Sequence, residues 1–347
     1  EAMQEHLLLE QTIGGYEAAA KTKDKIENFY RAFADLLNAN PNEIAYIENA
    51  TRAWDMAVYA IPFQAGDRIL VHESEYSSNY LGLLHLAKSK SIIIDVVTSD
   101  KDGQIDCADL ESKITPETKT IFLTHAPSQG GLINPAERVG KIATKNQLIY
   151  ILDACQSVGQ MQVDVKKIGC DILCGTGRKF LRGPRGTGFL YVSNKILDKL
   201  HPPFIDLHAA EWSSTNEYKL QNNAKRFENW ERFHAGQIAL GEAARYATDL
   251  GLSNIEKRIQ ILAQKLRESL DDIENIQVQD QGKKKSGIVT FRVNNMDAAE
   301  IVQKLRTKNI NTSAVQIEHA RLDLEKRNIQ SMVRASIHYF NTEEEIE

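Results

Sequence analysis

Between Lys23 and Asn38, apolar residues recur at helical spacing. Ile26, Phe29, Tyr30, Phe33, Leu36 and Leu37 share one side, and charged or polar residues fill the other. A helix with one buried face is predicted there. The pattern then changes to short apolar runs separated by helical segments. The runs are residues 68–72 (RILVH), 91–97 (SIIIDVV), 120–124 (TIFLT), 148–152 (LIYIL), 171–173 and 187–192. Near-continuous runs of β-branched and aromatic residues suit strands covered on both faces. Asn134-Pro135-Ala136-Glu137 reads as an N-cap, a proline at N1 and an acidic N3, so a helix is expected to begin there. Alternation of this kind predicts an α/β fold with a mainly parallel central sheet and flanking helices. From about Gly236 long helical stretches take over. A strand-like 287–293 (GIVTFRV), a helix from Asp297 and a closing strand 332–338 (MVRASIH) follow. These predict a smaller α+β C-terminal domain. The expected division is a large domain over residues 1–245 and a small one over 246–347.

Composition narrows the class. The 347 residues are 42% hydrophobic and 26% charged, ordinary for a soluble globular protein and enough for two domains. A net charge of -5 gives no reason to expect a nucleic-acid partner, so basic clusters need local explanations. No apolar run approaches the roughly 18 residues of a membrane-spanning helix. No secretory signal pattern opens the chain, and a cytoplasmic protein with no membrane partner is expected. Cys107, Cys155, Cys170 and Cys174 show no disulfide framework spacing and are read as reduced thiols. None of the nine histidines has a metal-ligand pair spacing, so no metal is expected. A Gly-rich turn directly after an early strand, the mark of a nicotinamide dehydrogenase, is absent.

One stretch, 174–192 (CGTGRKFLRGPRGTGFLYV), sets Lys179 among glycines and Arg178, Arg182 and Arg185. A solvated loop would carry such a lysine for no special reason. An active site would use the charges to hold an anion beside a reactive amine. Asp153 ends the run LIYIL, and ligands of open parallel sheets bind outside the carboxyl ends of strands. Taken alone, Asp153 also reads as a helix N-cap. Together the two residues are the groups that pyridoxal phosphate requires. An amine condenses with its aldehyde, and an ionised carboxylate keeps its ring nitrogen protonated. Asn49-Ala50-Thr51-Arg52 follows a strand-like 45–47 and opens a helical segment, a ready anion site; Thr51 also reads as an ordinary N-cap. Thr176 and Arg178 are further candidate phosphate donors.

Asp153-Ala154-Cys155-Gln156, then Thr176-Gly177-Arg178-Lys179 and GPRGTGFLYV, resemble the class V aminotransferase group of fold-type I pyridoxal phosphate enzymes. That group includes cysteine desulfurases, selenocysteine lyases, isopenicillin N epimerase-like proteins and ergothioneine-pathway C–S lyases. The resemblance runs from about Asn49 to Asn341. It implies a homodimer binding pyridoxal 5'-phosphate through Lys179, which later moves protons at the substrate Cα. It implies Asp153 at the pyridine nitrogen and Gln156 at the ring's phenolic oxygen. Thr51, the Ala50 and Arg52 amides, Thr176 and Arg178 fall to the phosphate. Tyr76 stands where desulfurases have a histidine stacked on the ring. It can stack, though it cannot serve as an imidazole acid near neutral pH, and it also reads as plain core. The loop Thr124-His125-Ala126-Pro127-Ser128-Gln129-Gly130-Gly131 matches the one beside the cofactor, with Ser128 where desulfurases usually have asparagine. Arg334, in MVRASIHYFN, matches the arginine that binds the substrate carboxylate; a guanidinium fits that role bidentately, and a structural salt bridge is the other reading.

Two departures matter. Desulfurases attack sulfur with a cysteine of the small domain, and here no cysteine follows Cys174. Cys155 lies between two cofactor contacts, but strand alternation should point its side chain away from them. In Arg226-Phe227-Glu228-Asn229-Trp230-Glu231, Trp230 and Glu231 replace a Gly-Thr pair whose threonine reaches the partner subunit's phosphate in many relatives. The substrate is expected to be a small amino acid or amino-acid conjugate. Expulsion of a β-substituent would make the enzyme a C–S lyase, the reading ranked first. Proton return would make it an epimerase or an aminotransferase. A non-catalytic member that keeps the fold to bind a partner is the rival from another class.

Overall fold

The computed structural model describes residues 1–347. Thirteen strands alternate with helices. They are β1 (Ile44–Ile47), β2 (Arg68–His72), β3 (Ile93–Val97), β4 (Thr118–Thr124), β5 (Ile149–Asp153), β6 (Ile172–Thr176) and β7 (Gly188–Val192), then the hairpin β8 (Ala210–Ser214) and β9 (Glu217–Leu220), and last β10 (Ile276–Val278), β11 (Ile288–Val293), β12 (Ser313–Gln316) and β13 (Ser331–Ser336). The chain divides into two compact units, Glu1–Gln64 with Ile149–Leu252, and Ala65–Leu148 with Ser253–Glu347. The boundary expected near residue 245 lies inside the helix His234–Leu250.

The first unit carries β1-β7-β6-β5 of the mainly parallel seven-stranded sheet. β5 runs parallel to β6, and β7 runs antiparallel to both β6 and β1. The helix Lys23–Leu37 buries Ile26, Phe29, Tyr30, Phe33, Leu36 and Leu37, the face that its periodicity predicts. Asn38 ends it in the left-handed region, φ 56, which asparagine tolerates better than most residues. Phe33 packs its ring 4.4 Å from that of Phe189 on β7. β6 runs on to Thr176, past the apolar run that marks it in the sequence, because β7 pairs with it as far as Thr176 opposite Gly188. Gly175 makes that pairing possible: a Cβ there would lie 2.2 Å from the Phe189 ring.

The second unit carries β4-β2-β3, all parallel, and a separate antiparallel sheet in the order β10-β11-β13-β12. Leu262, Ala263, Val289, Phe291, Val333 and Ile337 form the core between that sheet and its helices. Helices flank strands as the alternation predicts, and no helix is long and apolar enough to cross a membrane. One local expectation fails. The helix Ala136–Lys145 has Pro135, not Asn134, at its N-cap. Asn134 is buried and used elsewhere. Its Nδ2 donates to the Thr124 carbonyl (2.8 Å) and Ser74 Oγ (3.2 Å), and its Oδ1 accepts from the Ile105 N–H (3.0 Å).

His72, at the end of β2, is fully enclosed, with Nδ1 2.7 Å from Ser74 Oγ and Nε2 3.2 Å from Ser99 Oγ. Burial, partly opposed by Glu73 and reinforced by Lys326, pushes its pKa down to about 4. Burial does the same to His125. The unfolded chain keeps the ordinary histidine value near ~6.5. Between these values only the unfolded chain takes up the proton, so stability is complete above about pH 6.5 and is lost as pH falls towards about 4. Urea unfolding across that range should show this loss. His72→Gln, which has no proton to gain, should flatten it by up to ~3 kcal/mol.

Candidate active site

In the first unit, β5 delivers Asp153 at its carboxyl end, almost wholly buried. Its Oδ1 accepts the Cys155 N–H at 2.9 Å. The chain then turns, and Gln156 is buried two residues further on from Ala154. β6 ends on Thr176, whose Oγ1 donates to the Thr187 carbonyl at 3.1 Å. Lys179 lies three residues past that strand end in a tight loop. Gly177 N–H donates to Thr187 O (2.9 Å), Gly183 N–H to Gly177 O (2.7 Å) and Arg182 N–H to Lys179 O (2.9 Å). A Cβ at Gly177 would sit 2.5 Å from Thr187 Oγ1, so the loop closes only around glycine. Arg178 is exposed and Lys179 half-buried.

The helix Ala50–Val58 starts in the same unit. Asn49 is its N-cap, with its side chain accepting the Arg52 N–H at 3.0 Å. The Thr51 alternative of a plain N-cap therefore falls away: Thr51 is an exposed residue of the first turn. The Ala50 and Thr51 N–H groups have no partner within the chain, which leaves two donors at the positive end of the helix. Arg52 lies with its guanidinium 5.7 Å from the centre of the Phe204 ring.

Cys155 departs from expectation. It lies beyond the end of β5, in the turn, where strand alternation no longer governs direction. Its thiol lies in the field of the Asp153 carboxylate and of Lys179 and Arg178. Burial first, and then Asp153, drive its pKa well above the ordinary thiol range. Asp153, Cys155, Arg178 and Lys179 thus share one small electrostatic environment.

In the second unit, Tyr76 occupies the N-cap position of the helix Ser77–Lys90, half-buried rather than plain core. The buried Glu75 beside it fixes the turn. Its Oε1 accepts from the Thr124 hydroxyl (2.6 Å), the Tyr76 N–H (2.8 Å) and Asn79 Nδ2 (2.9 Å). Thr124 ends β4 and opens the loop that holds His125 and Ser128. His125 is buried, with no hydrogen-bond partner at Nδ1. Arg334 sits in β13, and its Nη1 donates to the Ser128 carbonyl at 3.0 Å.

The sequence profile of the aminotransferase class-V family matches residues 2–347. The chain belongs to the class-V aminotransferase family. A probable cysteine desulfurase of Pyrococcus abyssi is 31% identical over 338 residues, 96% of this chain and 84% of that protein. A probable cysteine desulfurase of Methanothermobacter thermautotrophicus is 30% identical over 340 residues, with the same shares. The apo cysteine desulfurase structure from Thermococcus onnurineus NA1 superposes with a TM-score of 0.92 at 29% identity, covering 99% of this chain and 87% of that one. A cystine C–S lyase in complex with cysteine persulfide has the same fold, with a TM-score of 0.89 at 21% identity over 99% and 90% of the two chains.

As a class-V aminotransferase the chain has the fold-type I architecture and is a pyridoxal 5'-phosphate enzyme. Its donor set suits that group. A buried carboxylate ends β5, an amine lies in the adjacent loop, and a helix N-terminus offers two free N–H groups. Gly188 packs that N-terminus against β7; a Cβ on it would lie 2.9 Å from the Asn49 backbone.

Sequence reading missed the part played by Glu228 in this class-V aminotransferase. Its carboxylate is buried. It accepts from the Tyr30 hydroxyl (2.9 Å) and the Tyr46 N–H (2.8 Å), and lies 2.8 Å from His208 Nε2. Burial and Glu228 together raise the Tyr30 pKa, so the hydroxyl keeps its proton and donates. Trp230 and Glu231, which follow, are exposed. The local signal was only a charged residue after Phe227, and its partners come from β1 and the helix Lys23–Leu37. Glu228→Ala should cost about 3 kcal/mol or more, since two buried donors lose their acceptor, whereas Glu228→Gln should cost less. Urea unfolding of the two variants measures the difference.

Proposed function

We propose that this enzyme is a C–S lyase acting on a small cysteine-derived amino acid, and that it does not relay sulfur through a cysteine of its own. The observation that carries this reading is the placement of its thiols. No cysteine follows Cys174, and burial pushes the thiols of Cys107, Cys155 and Cys170 up, away from the nucleophilic thiolate form.

The bound cofactor supplies an electron sink for the pair left at the substrate Cα. Lys179 Nζ would hold the cofactor and take the substrate Cα proton. Asp153 would keep a proton on the ring nitrogen, and Gln156 would donate to the phenolic oxygen. The Arg52 amide expected at the phosphate is instead taken by the Asn49 side chain, so the Ala50 and Thr51 amides, the hydroxyls of Thr51 and Thr176, and Arg178 would bind the phosphate. Tyr76 and Ser128 would orient the ring, and Arg334 would bind the substrate carboxylate. Loss of the Cα proton would let the Cβ–S bond break with its electron pair leaving on sulfur. The released aminoacrylate takes up water to give pyruvate and ammonia. Tyr76 offers no imidazole to protonate the departing sulfur, so leaving groups stable as anions are favoured.

The same reading makes the enzyme a cytoplasmic homodimer with the domain division drawn at about residue 245. Phe204, Leu207, Trp212, Tyr218 and Trp230, all exposed, support a covered face on the 204–230 segment.

Incubation with cysteine, cystine, a cysteine S-oxide and alanine plus a keto acid tests this reading, with pyruvate, sulfide and new amino acid measured separately. Pyruvate should form without a keto acid, and faster from cystine and the S-oxide than from cysteine. Strict dependence on a keto acid would make the enzyme an aminotransferase instead. Lys179→Ala should abolish both turnover and the borohydride-sensitive visible absorbance. Cys155→Ser should keep at least about a third of the activity; a loss greater than ~100-fold would return a sulfur relay to the mechanism.

A further inference from the structure

Arg267 and Asp280 form an ion pair with side chains 5% and 0% exposed. Arg267 Nε donates to Asp280 Oδ2 at 2.7 Å, and its Nη2 donates to the carbonyls of Ser286 and Ile288, each at 2.8 Å. The other oxygen of Asp280 accepts from the Gly131 N–H (3.1 Å), the Thr290 N–H (2.9 Å) and the Thr290 hydroxyl (2.6 Å). One carboxylate therefore gathers the loop that follows β4 and the middle of β11. Thr290 is the residue of β11 that stands opposite Arg334 on β13. The loop is the one whose Ser128 carbonyl accepts from Arg334 Nη1. Two supports of that guanidinium, its strand register and its carbonyl acceptor, are tied to the same buried anion.

The joint leaves no slack. A Cβ on Gly131 would meet Arg267 Nη2 and the Ile288 carbonyl at 2.8 Å and Asp280 Cγ at 2.9 Å. The Ser286 N–H closes the joint from the other side by donating to the Gly131 carbonyl at 2.7 Å. A buried ion pair is a weak source of stability, since apolar residues of the same volume often serve as well. Apolar residues could not, however, fix a loop amide and a strand hydroxyl at hydrogen-bond distance from one point.

We propose that Asp280, held by Arg267, is a positioning residue that sets Arg334 for the substrate carboxylate. This rests on the assignment of Arg334 to that carboxylate. A carboxylate is recognised bidentately only when the guanidinium plane is held within narrow limits, and a misplacement near 1 Å costs on the order of 100-fold.

The test uses holoenzyme, with cystine and its methyl ester as substrates, and 3-mercaptopropionate as a ligand that has a carboxylate but no amine. Asp280→Asn should raise KM for the acid about tenfold or more, leave kcat within about threefold, and weaken 3-mercaptopropionate binding in parallel. The visible absorbance of the cofactor and KM for the ester should stay unchanged. Thr290→Val, which keeps the ion pair, should shift the same constants in the same direction by a smaller factor, and it decides the question if Asp280→Asn does not fold. Arg334→Lys is the reference. If it does not raise KM for the acid, the carboxylate assignment fails and the proposal with it. If it does, while folded Asp280→Asn and Thr290→Val leave KM unmoved or affect acid and ester equally, the positioning role is overturned and the Arg334 assignment stands.

Discussion

A carboxylate taken out of water costs several kcal/mol unless donors surround it, and three segments of this protein are fixed by that demand. Glu75 draws in the Thr124 hydroxyl, the Tyr76 amide and Asn79, which sets the turn that presents Tyr76. Glu228 draws in Tyr30 and the Tyr46 amide, which locks the helix Lys23–Leu37 and β1 against the 224–233 segment. Asp280 draws in Gly131, Thr290 and Arg267. In each case the anion accepts from backbone as well as side chain, so what it orders is chain path, not only a neighbouring side chain. Removing the anion would strand donors that have no water to turn to.

The fold was legible because its signals are local. Helical periodicity marked the Lys23–Leu37 face residue by residue, and apolar runs marked the strands that lie between helices. Where local signals misled, a distant partner had taken over. Asn134 followed by Pro135 carries the pattern of a cap, yet its side chain serves Thr124 and Ile105 instead. β6 reads as ending at Leu173, because Gly175 carries no strand signal, and only the pairing with β7 extends it to Thr176. Cys155 was assigned a strand direction although the strand stops at Asp153.

The site was legible in parts. Asp153, Lys179 and the capped helix at Ala50 stand out because the chemistry confines such groups to strand ends and helix starts. The supporting anions do not stand out. Glu228 meets Tyr30 across 198 positions, and Arg334 meets the Ser128 carbonyl across 206. No periodicity spans such distances, and a lone Asp280 between two glutamines has the look of a surface residue. Gly130-Gly131 was visible as part of a loop motif, but the reason for a glycine at 131, the Arg267 and Asp280 atoms crowding its Cα, exists only in three dimensions.

The same carboxylate that suits Asp153 to a ring nitrogen also decides what Cys155 can do. To keep a pyridine nitrogen protonated, Asp153 must remain an anion. A carboxylate beside a thiol raises the cost of making that thiol a second anion. A thiolate at Cys155 would therefore be disfavoured while Asp153, the proposed partner of the ring nitrogen, stays ionised. Sulfur relay from Cys155 and electron withdrawal supported by Asp153 compete for one negative charge. If Asp153 serves the ring nitrogen as proposed, Cys155 is poorly suited to relay sulfur, and the cleaved sulfur would leave with a small molecule.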